Sequence, residues 1–179
     1  MTEIDDIEPV AVEPDYCGRC GTALETAEWE GSEHPYCPSC KRLLSRAPVA
    51  GAHVVVRDGD RALVLDEPVP GHDGVLSLPG GWADPGEGPK EAAARELGEG
   101  TGLRVAPEAL SFVTIVHAEF PDAALYLITY TVERARTAGD LRPEAGDVEL
   151  AFRSPEELGN AGERLRESDR DRVESAFEG

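Results

Sequence analysis

Lysine is almost absent from this chain. Among its 179 residues, 17 are basic and 36 are acidic, and only two of the basic residues, Lys41 and Lys90, are lysines. The formal net charge is −19. Because a surface of this sign repels phosphates and anionic lipids, it disfavours proteins that bind nucleic acid or a membrane surface.

Long apolar segments are missing as well. No run of apolar residues reaches the roughly 18 that a membrane-spanning helix needs. The acidic N-terminus lacks the basic-then-apolar pattern of a signal peptide, so we expect a cytoplasmic protein with no membrane contact. The scarcity of lysine among many carboxylates resembles cytoplasmic proteins of extreme halophiles, and an ordinary acidic protein is the alternative.

Cysteine is present in one pattern only. Two C-x-x-C pairs, Cys17 with Cys20 and Cys37 with Cys40, are separated by sixteen residues. This spacing is typical of a four-cysteine zinc ribbon, and all four positions of the metal would then be filled, so the zinc would be structural. Disulfides and free thiols are the alternatives, and disulfides are disfavoured without a secretion signal. We place the ribbon at residues 16–45, after a disordered acidic tail at residues 1–15.

The stretch from Leu78 to Leu103 organises the remaining chain. It reads LPGGWADPGEGPKEAAARELGEGTGL, which predicts a Gly-Gly turn, a loop and then a helix. Gly88 followed by Pro89 indicates the helix start, and Gly102 indicates its end. Glu96 and Glu99 share one face of this helix, Arg95 can pair with Glu91, and an apolar strip of Ala93 and Leu97 can face a sheet.

The same stretch resembles the signature of the Nudix hydrolase superfamily. That signature is G, five residues, E, seven residues, R-E-U, one residue, E-E, one residue, G-U, where U is aliphatic. The matching positions in this chain are Gly81, Glu87, Arg95, Glu96, Leu97, Glu99, Gly102 and Leu103. The pattern fails once, because Gly100 stands where the family has the second glutamate of the E-E pair.

The resemblance implies a phosphoanhydride hydrolase that depends on a divalent metal. A polyanionic substrate would be repelled by bare carboxylates, so the carboxylates act through Mg²⁺ or Mn²⁺, which prefer oxygen ligands. Carried over, Glu96 and Glu99 are metal ligands or the base, and Gly80 or Gly81 offers a carbonyl. Arg95 and Glu87 would be the supporting pair that orients the glutamates of the helix.

Gly100 leaves two alternatives open. A carboxylate from the downstream region can substitute as the magnesium ligand; Glu144 is our first choice, and Asp147 and Glu149 lie nearby. Otherwise the domain is a degenerate Nudix module that binds a nucleotide such as ADP-ribose as a sensor without efficient hydrolysis.

The other elements predict an α/β/α sandwich around a mixed sheet. Asp58-Gly59-Asp60 indicates a hairpin between two apolar strands, and two long strands follow the signature. Tyr126 and Tyr130 share a face of the second long strand; either could stack on a nucleobase, although core packing is favoured. Ser154, Pro155 and Glu157 fit a capping box. We assign residues 48–160 to the Nudix domain and residues 161–179 to a C-terminal helix.

The predicted substrate is a small molecule of the nucleotide class, such as ADP-ribose or NADH, in which a nucleoside diphosphate is linked to another group. The order ribbon-then-Nudix is similar to the NADH pyrophosphatase branch, but the Ser-Gln-Pro-Trp-type motif of that branch is absent between Arg104 and Phe120. A weaker interpretation makes the ribbon a protein-docking or nucleic-acid module, and the acidity of the chain disfavours the nucleic-acid version. A homodimer is left open.

Overall fold

A computed structural model describes residues 14–44, 49–67, 74–120, 123–144, 146–161, 164–165 and 167–178. The predicted acidic tail therefore lies outside the described residues, apart from residues 14 and 15. The chain divides into two compact units. One contains the cysteine-rich segment up to Val49 together with Glu119–Leu125, and the other contains Ala50–Ala118 and the chain from Tyr126 onward.

The cysteine-rich segment forms a small antiparallel sheet. Its strands are β1 (Glu25–Trp29), β2 (Ser32–Cys37) and β3 (Arg42–Leu43), with β2 in the centre. The β1–β2 turn contains Glu30 and Gly31, both in the left-handed region at φ 50° and 85°. This sheet buries few side chains, so an apolar core is too small to stabilise it alone.

The larger unit is built on a seven-stranded sheet. Its strands are β4 (Val49–Asp58), β5 (Arg61–Glu67), β6 (Val75–Ser77), β7 (Gly80–Trp82), β8 (Ser111–Phe120), β9 (Ala123–Glu133) and β10 (Glu149–Arg153). The main order is β10-β5-β4-β9-β8, with β6 paired to β5 and β7 paired to β4. Asp58 pairs with Arg61, so the predicted hairpin closes through Gly59 and Asp60.

Alternation along the two central strands produces two apolar faces. Val54, Val56 and Leu63 pack in one core cluster, whereas Val55 and Val64 pack in another. Since successive side chains of a strand point to opposite faces, the sheet is buried on both sides. This explains why β4 and β5 read as nearly continuous apolar runs.

Helix α1 (Pro89–Thr101) covers the first face. It begins after Gly88, has Pro89 in its first turn and ends at Gly102, which adopts a left-handed φ of 76°. Ala93 and Leu97 are fully buried in the first cluster, as the apolar strip predicts. A short 3-10 helix, Pro107–Ala109, precedes β8. A second one, Arg134–Arg136, follows β9.

Two helices cover the opposite face. Helix α2 (Pro155–Gly159) begins with the predicted capping box of Ser154 and Glu157, and α3 (Glu167–Phe177) contributes Val173 and Ala176 to the second cluster. Within α3, Arg172 and Asp169 form a buried ion pair, and Arg172 also donates to Thr129 Oγ1. The architecture is the predicted α/β fold, with helices on both faces of a mixed sheet. Among the described residues, no helix is long and apolar enough to cross a membrane.

Candidate functional site

The predicted Gly-Gly turn is wrong, because Gly80 and Gly81 lie in strand β7, which brings them against helix α1. In the β4–β7 ladder, Gly81 pairs with Ala52 and Gly80 pairs with His53. A Cβ on Gly81 would lie 2.3 Å from Glu96 Oε2, and a Cβ on Gly80 would lie 2.5 Å from the Ala52 carbonyl oxygen. Any side chain at either position would therefore displace the Glu96 carboxylate or the strand.

Arg95 is the centre of the site. Its Nε and Nη2 donate to the two oxygens of Glu87 at 3.1 and 2.9 Å, and Nη2 also donates to the Trp82 carbonyl at 2.9 Å. Its Nη1 donates to Glu96 Oε1 at 2.7 Å and to Glu99 Oε2 at 3.0 Å. One guanidinium thus fixes three carboxylates and the end of strand β7 in a single arrangement, which the planar fork of arginine permits and lysine does not.

The pairing of Arg95 with Glu91 is not formed, so that prediction is wrong. The guanidinium instead turns towards Glu87, whose two oxygens offer a bidentate partner. The Glu91 carboxylate lies against Gly88, where a Cβ would come within 2.3 Å of its Oε2. A bidentate bond is the stronger attraction, so it decides the side-chain direction.

Electrostatics in the network favour the charged forms. The Arg95 hydrogen bonds, followed by the backbone N–H of Asp84, lower the pKa of Glu87. Glu87, and then Glu96, raise the pKa of Arg95 further above its ordinary value. The Arg95 side chain retains 28% of its exposure, so water screens these interactions in part.

Two carboxylate oxygens are left for a cation. Arg95 uses Glu96 Oε1 and Glu99 Oε2, and no hydrogen bond among the described residues uses Glu96 Oε2 or Glu99 Oε1. Such hard oxygen donors fit Mg²⁺ or Mn²⁺. Within the described ranges, no His, Cys, Asp or Glu closes with Glu96 and Glu99 into a group whose ligand atoms all lie within 4.8 Å.

The downstream carboxylates are placed differently from one another. Glu144 is exposed in the loop that follows the 3-10 helix Arg134–Arg136. This loop contacts the C-terminal end of α1, where the Arg142 N–H donates to the Thr101 carbonyl at 2.8 Å. Asp147 is also exposed. Glu149 pairs with Asp66, whereas its neighbour Leu150 packs on the α1 side of the sheet. By alternation, Glu149 therefore faces away from α1.

The two tyrosines differ in their exposure to solvent. Tyr130 is 6% exposed and belongs to the core under α1, in edge contact with the Phe112 ring. Tyr126 is 44% exposed, and its ring centroid lies 5.2 Å from that of His117. Of the two, only Tyr126 therefore offers a face on which a base could stack.

The four cysteines converge as the paired motifs predict. Their sulfur atoms all lie within 4.8 Å of one another, with Cys17 to Cys40 at 4.0 Å and Cys20 to Cys37 at 3.6 Å. Sulfur atoms 2.3 Å from a tetrahedral zinc would be about 3.8 Å apart, whereas a disulfide needs about 2.05 Å. The donor set and spacing therefore fit zinc.

In the absence of a cation, the surroundings shift the pKa of Cys20 and the pKa of Cys40 in opposite directions. Thr22 lowers the pKa of Cys20 to about 6. The neighbouring Cys20 sulfur, burial and the other two sulfurs raise the pKa of Cys40 to about 12. A divalent cation among the sulfurs would remove this conflict, because it stabilises every thiolate at once.

Comparison with known proteins agrees with this geometry. A family model described as NUDIX domain matches residues 47–175. Two curated relatives, each named NAD-capped RNA hydrolase NudC, come from Chromobacterium violaceum, at 28% identity over 138 residues, and Deinococcus radiodurans, at 29% over 140 residues. Each alignment covers 76% of this chain and 48% or 47% of the relative, so the chain spans about half the length of these relatives.

Solved structures support the fold. A NUDIX hydrolase from Nitrosomonas europaea superposes with a TM-score of 0.65 at 17% identity, covering 93% of this chain and 94% of that one. A MutT NUDIX hydrolase from Burkholderia pseudomallei gives 0.61 at 20% identity, with coverage of 72% and 98%. Together with the family match over residues 47–175 and the Arg95 site, these likenesses establish that the chain belongs to the Nudix family.

Proposed function

We propose that this chain is a divalent-metal-dependent hydrolase that cleaves the pyrophosphate bond of a nucleoside diphosphate linked to another group. The observation that carries the proposal is the Arg95 network, which gathers Glu87, Glu96 and Glu99 beside Gly80 and Gly81 of strand β7. A purely structural helix has no need of three carboxylates held by one guanidinium beside two glycines of the neighbouring strand.

Each residue has a role in this proposal. Glu96 and Glu99 would hold Mg²⁺ or Mn²⁺ with the carbonyl of Gly80 or Gly81, and Glu96 is the alternative base. The bound cation would supply charge neutralisation at the anhydride phosphates. Arg95 and Glu87 act as positioning residues, because they orient Glu96 and Glu99 without occupying the oxygens that face outward.

The substrate class is supported by the relatives. The curated relatives are named for hydrolysis of NAD-capped RNA, in which NAD carries the pyrophosphate. We propose a nucleotide of this type for the present chain, with ADP-ribose and NADH as the simplest forms and Tyr126 as a base-stacking side chain. Zn²⁺ bound by Cys17, Cys20, Cys37 and Cys40 would be structural, since four sulfurs complete a tetrahedral shell.

A second candidate is a nucleotide sensor that does not hydrolyse its ligand. The observation that favours it is Gly100, together with the lack of a third described carboxylate that closes on Glu96 and Glu99. A weaker metal site would still bind a diphosphate while turning it over poorly.

The decisive experiment measures phosphate-bond hydrolysis and binding in the same samples. Wild type, Glu96→Gln and the control Glu91→Gln are assayed on NADH, ADP-ribose and nucleoside triphosphates with Mg²⁺ and Mn²⁺ in high salt. Glu91 lies on the same helix and its change removes the same charge, but it is outside the Arg95 network.

For an enzyme, Glu96→Gln should lower kcat by about 100-fold or more, and Glu91→Gln should remain close to wild type. Nucleotide binding with negligible wild-type turnover would identify the sensor. Brisk wild-type turnover that survives Glu96→Gln would contradict both candidates, because each depends on that carboxylate.

A further inference from the structure

A cavity opens at the C-terminal end of helix α1. It has a volume of about 440 Å³ and is lined by Gly102, Arg104 and Gly139–Arg142. The loop Gly139–Arg142 comes after the 3-10 helix that follows β9. None of these residues belongs to the Arg95 network, so the cavity is a separate feature of the same unit.

The frame of the cavity is held by backbone contacts. Arg104 and Ala138 exchange two N–H to carbonyl bonds of 2.8 Å each, and the Arg142 N–H donates to the Thr101 carbonyl at 2.8 Å. Gly102 and Gly139 both adopt left-handed φ angles. A Cβ on Gly102 would lie 2.7 Å from the Asp140 carbonyl oxygen, and a Cβ on Gly139 would lie 2.6 Å from the Gly102 carbonyl oxygen. The two arginines therefore project from a preorganised crossing rather than from a free loop.

The cavity brings two arginines together in a chain that carries an excess of carboxylates. In a protein with a net charge of −19, Arg57, Arg95 and Arg164 each pair with a carboxylate. Among the described residues, neither Arg104 nor Arg142 makes a side-chain hydrogen bond or ion pair.

The cavity therefore holds two arginines against a single acid. Asp140 is the acidic residue of the lining, and its backbone carbonyl is the group that faces Gly102. Two guanidinium groups that share a cavity without described carboxylate partners repel each other and attract an anion.

From these observations we propose that the Arg104–Arg142 cavity binds a phosphate group that lies outside the scissile pyrophosphate. Gly102 follows Glu99 by three residues, which corresponds to about 4.5 Å along a helix axis. A phosphate held there is about one helical turn beyond the catalytic carboxylates. On the proposed function, this axial spacing suits a phosphate attached elsewhere on a nucleotide whose diphosphate occupies the Nudix site.

Arginine suits this task, because its fork donates two hydrogen bonds to phosphate oxygens. The phosphate can belong to the substrate or arrive as free inorganic phosphate. The link to a substrate rests on the proposed function, whereas the binding of phosphate does not.

The test uses nucleotide pairs that differ by one phosphate outside the pyrophosphate. These are NADH with NADPH, and dephospho-coenzyme A with coenzyme A. They are assayed with wild type, with Arg104→Gln/Arg142→Gln, and with the control Arg61→Gln/Arg136→Gln. The control removes the same two charges from exposed positions that do not line the cavity.

If the phosphate belongs to the substrate, KM for the phosphorylated member should be about 10-fold lower than for its partner in wild type and in the control, given the strength of charged hydrogen bonds. The preference should disappear in Arg104→Gln/Arg142→Gln, with kcat little changed. If the phosphate is free, the two members should behave alike, and millimolar inorganic phosphate should change KM in wild type and the control only.

Equal KM values within each pair, together with no response to inorganic phosphate in wild type, would overturn the proposal. A lower Tm of Arg104→Gln/Arg142→Gln with unchanged preferences would also overturn it, because the arginines would then only neutralise the negative end of the helix. Dissociation constants measured by calorimetry without a divalent metal give the same comparison in the absence of turnover. A protein that hydrolyses neither nucleotide but binds the phosphorylated one more tightly would therefore contradict the proposed hydrolysis and support the phosphate site.

Discussion

Substitutions at Gly100 test how the Nudix site works with one glutamate fewer than the family pattern. Gly100 lies in the last turn of α1, and a Cβ there would meet only Leu65 Cδ2, at 3.9 Å. This is an ordinary contact, and the residue is not among the glycines with positive φ. The position therefore accepts a side chain without strain, unlike Gly81, where a Cβ would lie 2.3 Å from Glu96 Oε2.

The expected stability changes follow from this geometry. Gly100→Ala should stabilise the protein by about 0.4–1 kcal/mol, because alanine loses less backbone entropy in a helix. For a unit of this size, that corresponds to a rise in Tm of roughly 2–5 °C. Gly100→Glu gains a similar helix propensity, but it adds a like charge four residues from Glu96, which costs about 0.2–0.5 kcal/mol. It also adds a negative charge at the helix C-terminus, which costs about 0.3–1 kcal/mol. The net change without metal should be near zero.

The rise in Tm on adding a divalent metal should differ between the variants. If position 100 faces the Glu96–Glu99 site, Mg²⁺ or Mn²⁺ should raise the Tm of Gly100→Glu more than that of wild type or Gly100→Ala. The matched control is Gly98→Glu, which adds the same charge to the same helix at a position two residues from Glu96 and therefore on another face. Thermal melts at several metal concentrations and turnover under the same conditions provide the measurements.

The enzyme hypothesis expects wild-type turnover that Gly100→Glu alters by no more than a few-fold, because another ligand already completes the site. The sensor hypothesis expects turnover to appear only in Gly100→Glu. Equal metal responses of Gly100→Glu and Gly98→Glu would refute the placement of position 100 at the site. A loss of more than 1 kcal/mol in Gly100→Ala, measured by denaturant unfolding, would refute the claim that the position is open.

Three further outcomes are expected. Protein purified without chelator should contain one zinc per chain by elemental analysis, and zinc removal should unfold residues 16–45 while the Nudix domain stays folded; a zinc-free protein would contradict this. The capping box lowers the pKa of Glu157, mainly through the Ser154 N–H, so its stabilisation is present above the unfolded pKa of about 4.3 and is lost as the pH falls through the folded pKa. The stability difference between wild type and Glu157→Gln in urea unfolding should therefore shrink from pH 6 to pH 3, and a constant difference would be inconsistent. Because the Debye length rises from about 3 Å at 1 M salt to about 30 Å at 0.01 M, the Tm should fall in dilute buffer, and a salt-independent Tm would argue against salt adaptation.

Local signals in the sequence predict much of this fold. Gly88-Pro89 and Gly102 bound α1 where the structure has it, Asp58-Gly59-Asp60 forms the hairpin, and Ser154 begins α2 with a capping box. Each signal works because it depends on φ preferences or on hydrogen bonds within a few residues. Such preferences are set by the residues themselves, so they survive in the folded chain.

Interactions between distant segments were harder to predict. The sequence pairs Arg95 with Glu91 by helical spacing, but the loop before α1 brings Glu87 and the Trp82 carbonyl within reach of the guanidinium. The hydrogen bond from Arg172 to Thr129 left no sequence signal, because the two residues lie 43 positions apart. Glu149, one of three downstream carboxylates, faces away from α1 for a similar reason, since strand register sets its direction.

The sequence by itself determined the family and predicts two kinds of metal site. The Nudix spacing from Gly81 to Leu103 and the two C-x-x-C pairs specify residue types at fixed separations, and those separations decide which side chains share a helix face or a turn. Only the tertiary structure decided where Arg95 donates its hydrogen bonds, which tyrosine stays exposed, and that Arg104 and Arg142 share one cavity. The physical reason is that these contacts join segments far apart in the chain, and packing and register alone bring such segments together.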